Sequence, residues 1–313
     1  MSFALEKKLV IALSSSALFD LSESDEVFRT QGDSKYRQWM AGRADEPLPP
    51  GRAFNFIRKF LALNRGAPAG EEPVEVVLLS RNDPEAGLRI FRSIRHYGLD
   101  IIRAAFLDGR SPYPYISAFS ASLFLSANYN DVVEAVDAGY PAGYILSAGN
   151  LLQTDPQQDE AELKVAFDFD GVIANDQAER LYRSDGGLEA FEAAEVRNAA
   201  IPLDPGPLKD FFQKLSALQT RQREQGRGLA PRLRIAIITA RNAPAHERLI
   251  NTLKSWGIYT DEVFFLGGVE KSRILEVMKP DLFFDDQRGH LEPAGSFTAC
   301  VHVPFGIANK SPK

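Results

Sequence analysis

The sequence predicts an α/β fold built on doubly wound parallel sheet. Short runs that are apolar on both faces alternate with segments of helical periodicity, the pattern of buried parallel strands covered by helices. The pattern also occurs twice, with matching residues at a nearly constant offset. A chain of 313 residues is long enough for two such units. Two related Rossmann-like domains are therefore expected, over residues 1–155 and 156–313.

The first strand is expected at 9–13 (LVIAL). This stretch imitates a signal peptide, but its apolar run is short, serines follow at once and Asp20 ends it, so a buried strand leading into a loop is the reading. Strands follow at 75–79, 104–107 and 123–126, then at 164–168, 235–239, 262–266 and 282–285. Helices are expected over 84–97, 130–138, 206–220, 244–256 and 270–279. The 206–220 segment has Pro207 in its first turn and a stripe of Leu208, Phe211, Phe212, Leu215 and Leu218. Polar stretches rich in Pro, Gly or acid at 43–52, 64–73 and 152–162 read as connections. The last is the domain boundary, because an apolar strand starts at Leu163. Residues 221–234, with five arginines, read as a surface loop.

Composition excludes several classes. Apolar residues at 44% and charged residues at 25% are ordinary for a soluble globular chain, and 23 Gly with 19 Pro excludes collagen-like sequence. Cys300 is the only cysteine, which excludes a disulfide framework and a multi-Cys zinc site and suits a reducing compartment. The net charge of −6, without a dense Lys/Arg block, argues against nucleic-acid binding. No apolar run is long enough for a membrane span. The expected location is the cytoplasm.

The repeat is explicit. RIFRSIRHYGLDIIRAAFLDG (89–109) aligns with RLINTLKSWGIYTDEVFFLGG (248–268) at an offset of 159, which pairs Arg89 with Arg248 and Gly98 with Gly257. The same offset carries SLFLSAN (122–128) onto DLFFDDQ (281–287). SRNDP (80–84) matches ARNAP (240–244) at 160, and IALSSSALF (11–19) matches VAFDFDGVI (165–173) at 154. Four matches in one order indicate two copies of a domain.

Candidate chemistry lies in the second copy. KVAFDFDGVIAND (164–176) runs a buried strand into Asp168 and Asp170. Close like charges need a cation or proton, and Mg²⁺ suits oxygen ligands; solvated acids at a loop edge are the alternative. IAIITARN (235–242) ends a second strand in Thr239, a candidate phosphate-oxygen ligand, followed by Arg241 and Asn242. Lys271 follows a Gly-Gly turn and opens a helix, where a cation neutralises phosphate, unless it is a surface lysine. DLFFDDQ delivers Asp285 and Asp286 to a third strand end, as metal ligand and support. All four groups fall at the carboxyl ends of parallel strands, the edge where open α/β sheets bind ligands.

The order Asp-x-Asp, Thr, Lys, Asp-Asp resembles the haloacid dehalogenase (HAD-like) superfamily of phosphotransferases, over Leu163 to near Gly306. A closer resemblance, covering nearly the whole chain, is to the cytosolic 5′-nucleotidase type I family. It is carried by GPLKDFFQKL (206–215), IITAR (237–241), LKSWGIYTDEVFFLGG (253–268), FFDDQRGH (283–290) and HVPFG (302–306), and in the amino half by SSSALFDL (14–21), LLSRNDPEAGLRIFRSIRHYGLDI (78–101) and LFLSAN (123–128). The Phe-Asp-Gly after Asp168 departs from the better-known animal members but keeps both acids.

The resemblance implies Mg²⁺-dependent hydrolysis of nucleoside 5′-monophosphates through a phosphoaspartyl intermediate. Asp168 would be the nucleophile and Asp170 the acid and base. Thr239 and Lys271 would hold the phosphoryl group. Asp168, the Asp170 carbonyl and Asp285 would bind Mg²⁺, with Asp286 supporting. Residues 175–203 are too short for a large cap; Asp176, Arg180, Arg183 and the 186–187 Gly-Gly pair read either as a small lid over the nucleoside or as a surface helix. Asp176, Arg241 and Asn242 are the candidate substrate contacts. His290 lies near the acidic pair, as a substrate contact or a structural histidine.

The first copy reads as degenerate: Ser14, Ser16, Pro112, Ser126 and Ala127 stand opposite Asp168, Asp170, Lys271, Asp285 and Asp286. It is expected to pack against or gate the catalytic copy, with Ser14–Ser16, Arg81 and Asn82 as an alternative effector-binding loop. The expected partner is a small nucleotide, with no nucleic acid and no membrane; a homo-oligomer is compatible with the sequence. The rival functions are a phosphatase or phosphotransferase on another small ester, and a non-catalytic nucleotide-binding regulator.

Overall fold

The computed structural model describes residues 5–146, 162–183, 187–226 and 228–310. The expected boundary at 155/156 falls outside them. In chain order the elements are β1 (Leu9–Leu13), α1 (Ser15–Leu18), α2 (Ser22–Gln31), α3 (Asp33–Gly42), α4 (Phe54–Leu61), β2 (Val74–Ser80), α5 (Pro84–His96), β3 (Arg103–Phe106), β4 (Leu123–Ser126), α6 (Tyr129–Asp137) and β5 (Ala142–Ile145). The second half follows with β6 (Glu162–Phe167), α7 (Gln177–Tyr182), α8 (Gly187–Arg197), α9 (Lys209–Gln225), β7 (Arg232–Thr239), α10 (His246–Ser255), β8 (Glu262–Phe265), α11 (Lys271–Met278), β9 (Leu282–Asp285), α12 (Arg288–Ala294) and β10 (Cys300–His302).

The ten strands form one sheet in the order β3-β2-β1-β4-β5-β10-β9-β6-β7-β8. Each half, read from its outer edge, has the order third, second, first, fourth, fifth, so the repeat in sequence is a repeat in topology. All pairings within a half are parallel; β5 and β10 pair antiparallel at the seam. Val301 faces Ile145 and His302 faces Tyr144, the carboxyl-terminal ends of both strands. Ser126, Tyr144, His302 and Asp285 therefore lie in one row across the sheet, from which the carboxyl edges of the two halves face opposite ways. The Tyr129 ring crosses this seam, stacked on His302 with centroids 6.1 Å apart and lying under Arg288.

The strands alternate large and small residues between faces. Leu9, Ile11 and Leu13 join Val165, Phe167, Ile235, Ile237 and Phe284 in one core that runs under both halves. On the opposite face each half has its own cluster, around Val10, Phe124 and Val132 in the first, and Ala166, Ile238 and Phe283 in the second. The two repeats thus share a sheet and one core layer, where the sequence predicts two doubly wound sheets. Phe167 stacks on Phe284 at 4.8 Å and meets Phe212 edge-on at 4.9 Å, directly beneath the end of β6.

The copies share small anchors too. Gly98 and Gly257, at φ +63° and +64°, end α5 and α10 in the left-handed conformation that glycine adopts without strain. Arg89 and Arg248 each donate from Nε to a carbonyl of the segment inserted after the first strand, Glu46 at 3.0 Å and Ile201 at 2.9 Å. Ser93 and Thr252 accept from Leu48 N at 2.9 Å and Leu203 N at 3.1 Å.

The arginine-rich stretch 221–234 is not a long loop. α9 continues to Gln225 and β7 begins at Arg232. Arg, Gln and Glu are good helix formers, and Gln219 and Gln222 bind the carbonyls of Leu233 and Pro231 at 3.1 Å each.

Cys300 is 1% exposed beside Leu291 O, and burial pushes its thiol up to about 12. The folded chain keeps this proton where the unfolded chain, near 9, loses it, so its contribution to stability falls as pH rises from about 9 towards 12. Native protein at pH 8 should resist a maleimide, and denatured protein should take up one equivalent. Rapid labelling of the native state would show the thiol to be accessible.

Candidate active site

The second half gathers its charged groups at the carboxyl ends of β6, β7 and β9. β6 and β9 are adjacent, and Asp168 N donates to Phe284 O at 2.7 Å, which carries Asp168 level with the end of β9. Lys271, at the start of α11, reaches both strands: its Nζ lies 2.7 Å from Asp168 Oδ2 and 2.7 Å from Asp285 Oδ2. The second oxygen of Asp168 accepts from Phe169 N at 2.7 Å, and that of Asp285 from Gln287 N at 2.8 Å. His290 Nδ1 stands 3.1 Å from Asp285 Oδ2.

Three acids, Asp168, Asp285 and Asp286, are all but inaccessible at this point, with one lysine among them. Burial pushes Asp168 up to about 7 against the pull of Lys271. Burial also acts on Asp285, but Lys271 and His290 outweigh it and hold that carboxyl below the usual range. Asp286 rises to about 9, through burial and then the charges of Asp168 and Asp285. Burial disfavours charge on Lys271 as well, yet Asp168 and Asp285 keep it firmly protonated.

A divalent cation fits this set. Asp286 Oδ1 is buried without a hydrogen-bond partner, and a surplus of buried carboxylate needs a proton or a cation. Ligand atoms of Asp168, Asp285 and His290 all lie within 4.8 Å of one another. The carboxylate oxygens suit a hard ion such as Mg²⁺, whereas the His290 nitrogen is engaged by Asp285. Gly171 keeps the space open: at φ +77°, a Cβ there would stand 2.6 Å from Asp286 Cγ.

A cavity of about 420 Å³ opens over these groups. Asp168, Asp170, Thr239, Arg241, Asn242 and Lys271 line it. Thr239, 1% exposed, accepts from Arg241 N at 3.2 Å. Arg241 binds Asp170 through two parallel bonds, Nε to Oδ2 at 2.7 Å and Nη2 to Oδ1 at 2.8 Å. The opposite wall comes from α7 and α8, through Ala178, Glu179, Tyr182, Leu188 and Phe191. Tyr182 and Leu188 are each 53% exposed, apolar surface facing a polar floor.

The pattern of strand ends brings these residues together: Asp168, Asp170, Thr239, Lys271, Asp285 and Asp286 form one cluster, with Arg241 and Asn242 at its rim. Asp176 is engaged elsewhere. It is 2% exposed, accepts from Ile307 N at 2.8 Å and pairs with Arg180, so it ties the carboxyl-terminal turn to the start of α7 and does not line the cavity. Arg183 pairs with Glu179 at 2.6 Å, and Gly186 lies outside the described residues. Glu195 and Phe191 on α8 and Tyr182 at the end of α7 were not legible as site residues, because α7 is short, α8 carries little amphipathic pattern, and both reach the site only in three dimensions.

A family model described as 5′-nucleotidase matches residues 1–310. The chain belongs to the 5′-nucleotidase family of hydrolases. It is 32% identical over 291 residues to cytosolic 5′-nucleotidase 1B of Homo sapiens, which covers 91% of this chain and 47% of that protein. The chain thus spans about half the length of this relative. No solved structure gives a significant match.

Within this family member, the first half carries a second cavity at the equivalent strand ends, about 690 Å³ in volume. Ser14, Ser16, Arg81, Asn82, Asn128 and Tyr129 are among its lining. Arg81 pairs with the buried Asp131 and with Gly109 O at 2.6 Å, and Ser15 bonds Ser80 at 2.8 Å. Ser14 bonds Ser16 at 3.2 Å, and Asn82 donates to the Tyr36 hydroxyl at 2.8 Å. Among the described residues, no helix is long and apolar enough to cross a membrane.

Proposed function

We propose that the chain hydrolyses nucleoside 5′-monophosphates to nucleoside and phosphate through a phosphoaspartyl intermediate at Asp168. The observation that carries this is the Asp168–Lys271–Asp285 bridge at the floor of a cavity, with Asp170 two residues on. Membership of the family supports it.

In the first step a carboxylate oxygen of Asp168 bonds to phosphorus as the bond from phosphorus to the ribose 5′-oxygen breaks. Asp170 gives its proton to the departing oxygen. In the second step water attacks the acyl phosphate, its proton passes to Asp170, and Asp168 and inorganic phosphate are released. Thr239 and Lys271 hold the phosphoryl oxygens, where fixed donors in a water-poor site stabilise the charge that develops. Asp168, Asp285, Asp286 and the Asp170 carbonyl would hold Mg²⁺, which when bound supplies charge neutralisation and orients the phosphate. Tyr182, Leu188 and Phe191 form a small lid for the nucleoside, and Arg241 and Asn242 face its phosphate side.

The catalytic unit is 156–313. The unit 1–155, with Ser14, Ser16, Ser126 and Ala127 at the positions of the four acids, is a packing partner. The setting is the cytoplasm, without nucleic acid or membrane.

Phosphate release from a panel of nucleoside monophosphates and simple phosphate esters, with Mg²⁺ and with EDTA, tests the reading. Turnover of nucleotides that EDTA abolishes is expected. Turnover of simple esters alone would refute the substrate class, and nucleotide binding without turnover under any metal would favour a regulator.

A further inference from the structure

Four charged side chains make an unbroken row from α10, through α8, to the proposed acid. Arg241 grips both oxygens of Asp170 and turns Nη1 to Glu195 on α8. Arg248 on α10 donates to the other Glu195 oxygen at 2.9 Å. The side chains of Arg241 and Glu195 are each 2% exposed. Charges this deep persist only when each has its partner, and removing one strands its neighbour. The rings of Phe169 and Phe191 each lie 5.5 Å from the Arg241 guanidinium carbon and limit its movement.

The repeat supplies an internal comparison. Arg81 and Arg89 stand where Arg241 and Arg248 stand, and Arg89 holds its inserted segment as Arg248 does. The acids differ. Ser16 stands at the position of Asp170, Arg81 turns to Asp131, and Arg89 Nη1 meets Met40 Sδ at 3.8 Å. Both copies keep both arginines, but among the described residues only the copy with Asp170 has an acid bonded to both of them. If Glu195 served only to seat the inserted segment, its counterpart would be useful in both copies.

We propose that Glu195 is a positioning residue: from α8 it holds Arg241, and through Arg241 it sets the orientation of the Asp170 carboxylate towards the leaving oxygen. It shares the guanidinium with Asp170 and fixes the plane from which Asp170 is held. Seating of α8 and readiness of the acid are thereby one event. This rests on the hydrolase reading above.

The test compares wild type, Glu195→Gln, Glu195→Asp and Arg248→Gln on two Mg²⁺-supported substrates. A nucleoside monophosphate loses an alkoxide that needs a proton; p-nitrophenyl phosphate loses a phenolate that hardly does. Acid catalysis is worth about 10²–10⁴-fold, so misorientation in Glu195→Gln should cost the nucleotide kcat about 10-fold or more beyond any loss on the aryl ester. KM should change little, and Glu195→Asp should recover part of the difference. Should Glu195→Gln not fold, Arg248→Gln, which frees one Glu195 oxygen, reads the same split at smaller size. Equal slowing of both esters in the folded variants would overturn the proposal and leave Glu195 a structural ion-pair partner. A wild-type chain inactive on both esters would refute the hydrolase reading itself, before any variant is compared.

Discussion

Asp168→Asn should abolish phosphate release while leaving the fold intact. A carboxamide cannot form the acyl phosphate, and loss of a covalent nucleophile costs at least about 10⁴-fold in kcat. The side chain keeps its shape, its bond from Phe169 N is of a kind an amide oxygen accepts, and Lys271 keeps Asp285 as partner. The thermal transition should therefore stay cooperative. Acid-quenched wild type, mixed briefly with labelled nucleotide, should carry phosphate on Asp168, and the variant none. Undiminished phosphate release by Asp168→Asn would remove the proposed intermediate.

Lys271→Met should damage stability and chemistry together. Nζ contacts two buried carboxylates at 2.7 Å each, and the residue is 4% exposed. Removing one member of a buried charged cluster costs about 3–5 kcal/mol, because the remaining charges have no substitute solvent. Adding Mg²⁺ should restore part of this, since a cation binding the folded state alone stabilises by mass action. Phosphate release at saturating nucleotide should fall about 10²–10³-fold, the scale for a single lost electrostatic donor. Urea unfolding with and without Mg²⁺ separates the two effects. A variant as stable as wild type without metal would mean that Lys271 does not bridge the acids in solution.

The strand-end chemistry was legible because it is local. Asp168, Thr239 and Asp285 each follow a run apolar on both faces, and a run of that kind has one outcome, a buried parallel strand. Once the strands are parallel, the residues after them share an edge. β5 (Ala142–Ile145) escaped because AGYI is a four-residue run with a glycine inside it and only one aliphatic side chain larger than alanine. α2 and α3 escaped because polar residues dominate them, and α4, despite its stripe of Phe56, Ile57, Phe60 and Leu61, because eight residues are too few to separate a helix from a buried strand. The lid wall was only half legible: the stretch after Asp170 was visible as an insertion, but not which of its side chains turn inward.

The residues alone therefore show a repeated α/β pattern, with acids, hydroxyl and lysine at the strand ends of one copy and other residue types at the matching positions of the other. These follow from period, offset and residue type, which need no knowledge of distant contacts. Three things depend on long-range packing. One is the merging of the copies into one sheet, through two residue pairs between β5 and β10. Another is the diversion of Asp176 to Ile307, 131 residues away. The third is the row from Asp170 through Arg241 and Glu195 to Arg248, whose members lie after β6, after β7, on α8 and on α10. Charge pairs of this kind have no sequence period, because what selects them is a partner brought close by folding and the exclusion of the water that would otherwise replace it.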